Sequence, residues 1–434
     1  ITATDASGVV LIEYVWSDDI SAPTSGWSEI NNGDSVSLNR TSGSKYLHVY
    51  SEDVYGNGTF FCSNAFVFEY TPIVDYYFEG VGHMIGQAIA TDAENNSYIT
   101  GTIQQSGQWD MVVWKIKLNG ELDTTFNSPD GFYIYDDGGM NDAGFDITLQ
   151  DDGKILITGD SRDCDMAVWR FNTDGSLDTT FGVDGVFVHH NAAGGDLGDR
   201  GIGIDVQSNG KIVVTGHSFS IMDDECADMV IWRLNVDGTL DGDFGDGTCH
   251  NGVGDGNNYG CSVHANPVGA SAGWEKGQTI KVQSDGKIVV AGRSNDYDIR
   301  ESDMVIWRYN SDGTMDDTFG DGTCHNGVGE GGNYGCVVHG VPVEGEGSGC
   351  DRGWDIEITD LGQIVVVGQK NNGSDSDMAV WRYNSAGVLD LDFNGIGYFT
   401  HHNAAGGNDG DRGNGIEILS NGQYIVFGQS KGSE

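Results

Sequence analysis

The sequence predicts an all-β chain, a β-propeller preceded by a small β-sandwich, on three observations. The first is a segment that recurs five times: DMVVWK from Asp110, DMAVWR from Asp165 and Asp377, and DMVIWR from Asp228 and Asp303. The copies start roughly 55 to 75 residues apart, too far for most helical solenoids and right for a four-stranded blade with loops of variable length. The second is the run of apolar segments ILITG, IVVTG, IVVAG and IVVVG, with MAVW and MVIW after them. A half-solvated strand would alternate, so these strands are expected to be covered on both faces, as blades stacked side by side would be. The third is a content of 68 glycines and only 5 prolines without a collagen-like period, which supplies many tight turns.

Taken in order, residues 1–71 carry no copy of the repeat. Alternating segments at Val9 to Trp16, Ser35 to Leu38, Tyr46 to Tyr50 and Phe60 to Tyr70, parted by turn clusters such as Asn31-Asn32-Gly33, read as a small β-sandwich. Pro72 marks the joint, and residues 72–434 are expected to form the propeller. One unit can be written from the second copy. Gly144 to Leu149 is a first strand, Asp152-Gly153 a hairpin turn, Lys154 to Thr158 a second strand, Asp165 to Phe171 a third and Val186 to His189 a fourth. Asp-Gly and Asn-Gly pairs recur at Asn209-Gly210, Asp285-Gly286 and Asn421-Gly422, where a two-residue hairpin needs positive φ. Five units are complete, over residues 84–137, 143–191, 201–265, 275–340 and 352–402, and a sixth begins at Arg412. Asp75 to Glu79 is placed as the strand that would complete the last blade and close the ring. Six blades are expected, with seven the alternative if more chain follows Glu434. Trp114, Trp169, Trp232, Trp307 and Trp381, each inside an apolar strand, are assigned to the core between blades.

Sixty-six acidic against 21 basic side chains give a net charge of -45. Such a surface repels nucleic acid and anionic membrane and excludes both as expected partners. The chain contains no run of eighteen apolar residues, so no membrane-spanning helix is expected. Ile1 opens on a strand-like segment without an initiator Met, as a mature or internal piece of a longer chain would. Cys249 and Cys261 bracket CHNGVGDGNNYGC, and Cys324 and Cys336 bracket CHNGVGEGGNYGC. Two sulfurs at the neck of a loop suit a disulfide better than zinc, which needs convergent close pairs. Disulfides imply an oxidising, extracytoplasmic location. The pairing of Cys62, Cys164, Cys226 and Cys350 cannot be read from sequence.

Two resemblances follow from these residues. TDASGV, IEYVWS, NNGDSVSL and YLHVYSEDVYGN resemble the bacterial immunoglobulin-like modules of large surface proteins. The pattern G-x-D-I-x-(L/V)-Q-x-(D/N)-G-K-I, followed by D-M-x-(V/I)-W-R-x-N-x-D-G-x-L-D-x-x-F-G, resembles the delta-60 family of bacterial propeller repeats over residues 84–434. The resemblance implies an exported or surface-attached bacterial propeller and no established activity.

Candidate chemistry is sparse. Asp174 with Asp178, Asp237 with Asp241 and Asp312 with Asp316 look like half of an oxygen-ligand calcium loop. The equivalent positions in other units lose carboxylates while keeping Gly120 and Gly387, which favours a turn. Calcium is the one cofactor considered. His189-His190 and His401-His402 lie on strands, where neighbours point to opposite faces and do not chelate one ion. His264 and His339 align with His189, which favours a role in the repeat itself. The Asp opening each third strand is expected to meet Arg200, Arg352 or Arg412 on one rim. Five near-identical copies define no single cleft, and the nucleophile-elbow, zinc-helix and phosphate-loop motifs are missing from the sequence. No catalytic residue is assigned and the chain is expected not to be an enzyme. The reading is an extracellular bacterial cell-surface protein, structural or adhesive, binding a glycan or protein or associating with itself. The alternatives are a carbohydrate-binding or carbohydrate-active propeller, which a carboxylate pair roughly 5 to 10 Å apart would mark, and a subunit of a self-assembling filament.

Overall fold

The computed structural model describes residues 84–105, 107–138, 140–161, 165–194, 198–219, 227–249, 260–264, 273–296, 301–324, 335–339, 351–373, 375–402, 410–419 and 421–430, and before them the backbone of five strands. Those strands are Val9–Ser17, Ser28–Glu29, Gly43–Asp53, Gly58–Cys62 and Phe66–Phe68. Gly43–Asp53 pairs antiparallel with Val9–Ser17 on one side and with Gly58–Cys62 on the other. The expected strand at Ser35 to Leu38, the closing strand at Asp75 to Glu79, and Cys164, Cys226 and Cys350 lie outside the described residues, as does the side chain of Cys62. One compact unit takes Ile1–Asp75 with Lys117–Glu121, and the rest of the chain forms the second.

The second unit repeats one antiparallel sheet. First strands run Met84–Thr91, Ala143–Leu149, Asp199–Val206, Gly273–Val282, Arg352–Ile358 and Asp411–Ile418. Each pairs with a second strand: Ser97–Gln105, Ile155–Ser161, Ile212–Phe219, Ile288–Asp296, Ile364–Asn371 and Tyr424–Ser430. In units one to five a third and a short fourth strand complete the sheet, ending in Phe132–Tyr135, Val186–His189, Cys261–His264, Cys336–His339 and Tyr398–His401. The described residues of this unit therefore hold five four-stranded repeats and a sixth, two-stranded one, and a parallel bridge between Ala227 and Trp274 joins repeats three and four into one eight-stranded sheet.

Sequence explains how the sheets stack. In units two, three and four the glycine near the start of the first strand packs on the threonine of the preceding unit's T-G pair, so closely that a Cβ on Gly201 would stand 2.2 Å from Thr158 Oγ1; Gly353 and Gly413 meet Ala291 and Val367 at that place. Thr158 donates to the carbonyl of Ala167 in its own sheet, so its hydroxyl is satisfied although buried. Around this contact the apolar runs meet: Leu156, Met166 and Val168 of unit two pack on Ile204, Val214 and Trp232 of unit three. Units three and four, and four and five, repeat the arrangement with Trp307 and Trp381. Trp169, Trp232, Trp307 and Trp381 are at most 1% exposed, whereas Trp114 of unit one is 8% exposed and packs within its own sheet.

Two-sided cover is found for the inner units and not for the outermost ones. Ile425 and Phe427 of unit six are 51% and 64% exposed, and Ile85 and Ile89 of unit one 38% and 45%. Among the described residues these two sheets have a neighbour on one side only.

A polar seam joins the sheets at the hairpin end. Gly182 N donates to Asp237 O at 2.8 Å and Gly245 N to Asp312 O at 2.9 Å, each crossing to the turn of the next unit. Gly238 makes that close approach, with φ +82° and a would-be Cβ 2.6 Å from Gly182 N. The arginine of D-M-x-V-W-R reaches the same turn: Arg170 Nη1 donates to Val236 O at 2.5 Å, and Arg233 to Ser311 O.

Candidate functional site

The carboxylates expected as calcium ligands are used otherwise. Asp178 is held by Lys154 Nζ at 2.5 Å and Arg170 Nε at 2.8 Å, Asp241 by Lys211 at 2.5 Å and Arg233 at 2.6 Å, and Asp316 by Lys287 at 2.6 Å and Arg308 at 2.7 Å. Asp174, Asp237 and Asp312 each accept from the backbone N–H and hydroxyl of Ser176, Thr239 or Thr314. Two cations on each inner carboxylate leave no charge for a metal, so the calcium assignment is corrected to a structural ion-pair latch. The pairs expected at the neck of the glycine-rich loops are formed, Cys249–Cys261 and Cys324–Cys336, with Cα atoms 5.5 and 5.6 Å apart.

The rim pairing expected between third-strand aspartates and first-strand arginines is also corrected. Asp165 and Asp377 take His190 and His402 at 2.6 Å, and Arg200 takes Asp160 at 3.1 Å. His189 lies 2.9 Å from Asp199 and is buried. His189, His264 and His339 occupy one register position, opposite Met166, Met229 and Met304, and serve the repeat. Ligand atoms of Asp375, Asp377 and His402 fall within 4.8 Å of one another, as do those of Asp110, Asp136 and Asp142.

The near-identity of the copies hides one variable position. In every unit the first strand has a β-bulge just past its early glycine, and the residue before that glycine pairs with the residue after the second-strand glycine. The six pairs are Ile85 with Thr102, Ala143 with Asp160, Arg200 with His217, Lys276 with Arg293, Arg352 with Gln369 and Arg412 with Gln429. A bulge re-aims the side chains beside it. The requirement for glycine is strict, since a Cβ on Gly159 would lie 1.7 Å from Ala143 O. The scaffold is thus repeated while the residues it displays at this rim are not, and the expectation that symmetry leaves no single cleft is overturned.

A cavity opens at the acidic arc of the rim, lined by Ile85, Thr102, Trp109, Asn141, Asp142, Ala143 and Asp160. Its wall is pinned: Trp109 N donates to Asn141 Oδ1 at 3.0 Å, and Asp142 N donates to Trp109 O at 2.7 Å. Asp142 is fully buried and accepts from Ser161 Oγ at 2.5 Å and Asp137 N at 3.2 Å. Burial pushes Asp160 up to about 6; Arg200 opposes the rise and Asp142 adds to it. Asp160 Oδ1 is buried without a hydrogen-bond partner. Asp110, next to Trp109, is likewise raised, by burial first and then by Asp136 and Asp137. The cavity is therefore lined by a tryptophan, an asparagine, a threonine and a carboxyl able to hold its proton in mildly acidic solution, over the fully buried Asp142. Nothing in the repeat consensus marks these residues; the signal was the departure of Asp160 and Thr102 from a position where other units carry His, Arg or Gln.

Residues 150–181, 207–244, 283–319 and 362–393 match a family model described as "Domain of unknown function (DUF5122) beta-propeller". These are β-propeller repeats. Each match runs from the second-strand hairpin to the aromatic that follows the third-strand turn, so it covers the conserved latch and leaves out the variable first strand. No curated protein matches the chain. Solved structures that align with it include an exo-1,5-alpha-L-arabinanase from a bovine ruminal metagenomic library, at 14% identity over 64% of this chain and 92% of that chain with a TM-score of 0.30. The GH43 endo-arabinanase from Bacillus licheniformis aligns at 13% identity over 64% and 94%, TM-score 0.31. A PL25 ulvan lyase, bound to -[GlcA(1-4)Rha3S]-, aligns at 11% identity over 77% and 75%, TM-score 0.34. The likeness is one of fold, and no ligand or reaction is taken from it. One expectation is corrected: the chain was read as not an enzyme, and that exclusion is withdrawn, since glycoside hydrolases and a polysaccharide lyase are among the structures that align with it. Among the described residues no helix is long and apolar enough to cross a membrane.

Proposed function

We propose that the chain is a carbohydrate-binding propeller that takes its ligand in the cavity beside Trp109. The observation that carries this reading is the composition of that cavity, in which an indole stands among Asn141, Asp142, Thr102 and Asp160. A sugar ring presents an apolar face to an aromatic ring and hydroxyls to amide and carboxylate groups, and pockets of few, well-placed polar groups select by such pairings. The disulfides at Cys249–Cys261 and Cys324–Cys336 support an oxidising, extracellular setting for it. Titration calorimetry of the whole chain against a panel of soluble plant, algal and bacterial polysaccharides tests the reading. Binding abolished by Trp109→Ala, with the circular dichroism spectrum unchanged, is expected; binding that survives Trp109→Ala places the ligand elsewhere and refutes it.

A catalytic reading of the same cavity is favoured by one observation. Asp160 keeps its proton up to about pH 6 and has an unpartnered carboxyl oxygen beside the hydrogen-bonded Asp142, as an acid next to a base would. Release of reducing ends from the bound polysaccharide, lost in Asp160→Asn with binding retained, is the outcome expected of it. Binding with no bond cleavage at any pH from 4 to 8 would leave a binding module only.

A further inference from the structure

The other arc of the rim is built from cations. The residue ahead of the bulge is Arg200, Lys276, Arg352 and Arg412 in units three to six, and Arg293 stands across from Lys276. The packing of the glycine that follows each one fixes what its side chain faces. Gly201 sits on Thr158, which sets Arg200 against Asp160, two residues further on. By the same geometry Gly277 sits on Thr215 and sets Lys276 beside His217, and Gly353 approaches Ala291 and sets Arg352 beside Arg293. Among the described residues no carboxylate pairs with Lys276, Arg352 or Arg412. In a chain with 66 acidic side chains against 21 basic ones, a run of cations facing one another is not a by-product of composition.

Among the described residues, the acids that precede these cations do not neutralise them. Asp199, Glu275 and Asp351 precede the basic residues on their strands and so lie on the opposite face. There Asp199 is bonded to His189, Glu275 accepts from Ser294 Oγ at 2.9 Å, and Asp351 accepts from Asn371 N at 2.7 Å. His217 is 2% exposed and neither ring nitrogen has a hydrogen-bond partner; Arg352 Nε and Arg412 Nε are buried without one as well. Burial first, and then Lys276, Arg200 and Arg293, drive His217 well below the ordinary histidine range. Lys276 is brought down to about 8, by burial and then by Arg293, Arg200 and Arg352. Buried donors and mutually repelling cations raise the free energy of the fold unless an anion joins them. Aromatic rings alternate with these charges: Lys276 Nζ lies 4.3 Å above the Trp274 ring and Arg412 Cζ 5.1 Å above Trp354.

We propose that Arg200, His217, Lys276, Arg293, Arg352 and Arg412 form an anion subsite that seats the carboxylate or sulfate groups of an acidic glycan, continuous with the Trp109 cavity. Carboxylate and sulfate oxygens accept from guanidinium and ammonium groups in charge-assisted bonds. The adjacent indoles offer faces to the sugar rings that carry those anions. The net charge of the chain opposes a polyanion at long range, but at physiological salt that repulsion is screened beyond about 8 Å, and within the rim the local cations dominate. The inference rests on the glycan reading above and narrows it to acidic glycans.

Calorimetry with the whole chain separates the two. The probes are an oligogalacturonate, a sulfated dextran oligomer, a neutral dextran oligomer and inorganic sulfate. An anionic oligomer is expected to bind best, with affinity falling as sodium chloride rises. Lys276→Gln with Arg352→Gln is expected to weaken it roughly tenfold or more, about the contribution of one charge-assisted contact. An anionic oligomer that binds no better than the neutral one, or equally well to the double variant, overturns the inference and leaves the glycan reading standing wherever Trp109→Ala still abolishes binding. Sulfate binding that the double variant loses, with no oligomer bound at all, overturns both. Should the double variant not fold, Arg352→Gln alone decides: sodium sulfate is expected to raise the Tm of the wild type above that in sodium chloride of equal ionic strength, and by more than it raises the Tm of the single variant. An equal rise in the two proteins overturns the inference.

Discussion

Replacing Asp241 by Asn tests whether the ion-pair latch holds the sheets together. The Asp241 side chain is 5% exposed and faces Arg233 Nε at 2.6 Å and Lys211 Nζ at 2.5 Å, with Arg233 8% and Lys211 28% exposed. The amide keeps the shape but removes the charge, and Arg233 cannot withdraw, because it is also bonded to Ser311 O of the next unit and stacked 4.5 Å over Phe244. Leaving a buried guanidinium without its counter-charge costs about 3 to 5 kcal/mol, and the more exposed Lys211 adds little because it can turn to water. The repeat supplies internal controls. Asp178→Asn and Asp316→Asn should match Asp241→Asn, since their side chains are 5% and 3% exposed and hold the same two cations. Asp390→Asn should cost less, because Asp390 is 15% and Arg382 20% exposed. Asp123→Asn should also cost less, since its ion pair with Lys115 is long, at 3.7 Å, and no arginine stands in it. Urea unfolding followed by tryptophan fluorescence gives the ranking, and amide hydrogen exchange assigns each loss to its unit, since repeat arrays can open one unit at a time. The sign with pH is fixed. Asp241 is held below its ordinary value of 3.8 against the opposing effect of burial, chiefly by Lys211 and Arg233, so its contribution is complete above pH 4 and fades as pH falls through the folded-state value. The variants should therefore converge on the wild type in strong acid. Equal effects at all five aspartates, or an Asp241→Asn variant within about 0.5 kcal/mol of wild type at pH 7, would refute the latch.

Three further outcomes follow from the same structure. Asp160, raised to about 6 in the fold, contributes stability that is complete below about pH 4 and lost as pH rises through 6; Asp160→Asn should flatten that part of the Tm–pH curve, and an unchanged slope would contradict the assignment. Gly238→Ala forces a Cβ to 2.6 Å from Gly182 N at φ +82°, and a loss of at least 1 to 3 kcal/mol, roughly, is expected in urea; a neutral effect would mean the turn does not seat on its neighbour. Cys249→Ser with Cys261→Ser opens a loop of separation 12 and should cost about 3 kcal/mol, read as a Tm difference that vanishes when both proteins are reduced.

How much of this was legible depended on whether a residue's partner lay in its own sheet. The D-M-x-V-W-R strand, the T-G pair and the Asp-Gly turns were readable because period, β-branching and positive φ are local properties. The disulfides were readable because Cys249 and Cys261 sit at the neck of one loop. For Asp178, Asp241 and Asp316 the sequence favoured a turn over half of a calcium loop and missed the ion pair, because spacing shows a carboxylate but not the lysine 24 to 30 residues earlier that meets it. Arg200 was misassigned for a similar reason: its register against the preceding sheet, set by Gly201 on Thr158, chooses Asp160 over the third-strand aspartate.

By itself, then, the sequence determined the architecture of each unit, because hydrogen-bonded turns and apolar periodicity act over a few residues and were written out five times. What only the tertiary structure decided is the rim. Ile85, Ala143, Arg200, Lys276, Arg352 and Arg412 are each just the residue before a glycine in their own repeat. Stacking the sheets brings them to one end with their cross-strand partners, and there burial and mutual charge, which are properties of neighbours rather than of the chain, divide the rim into an acidic cavity beside Trp109 and a cationic arc around His217.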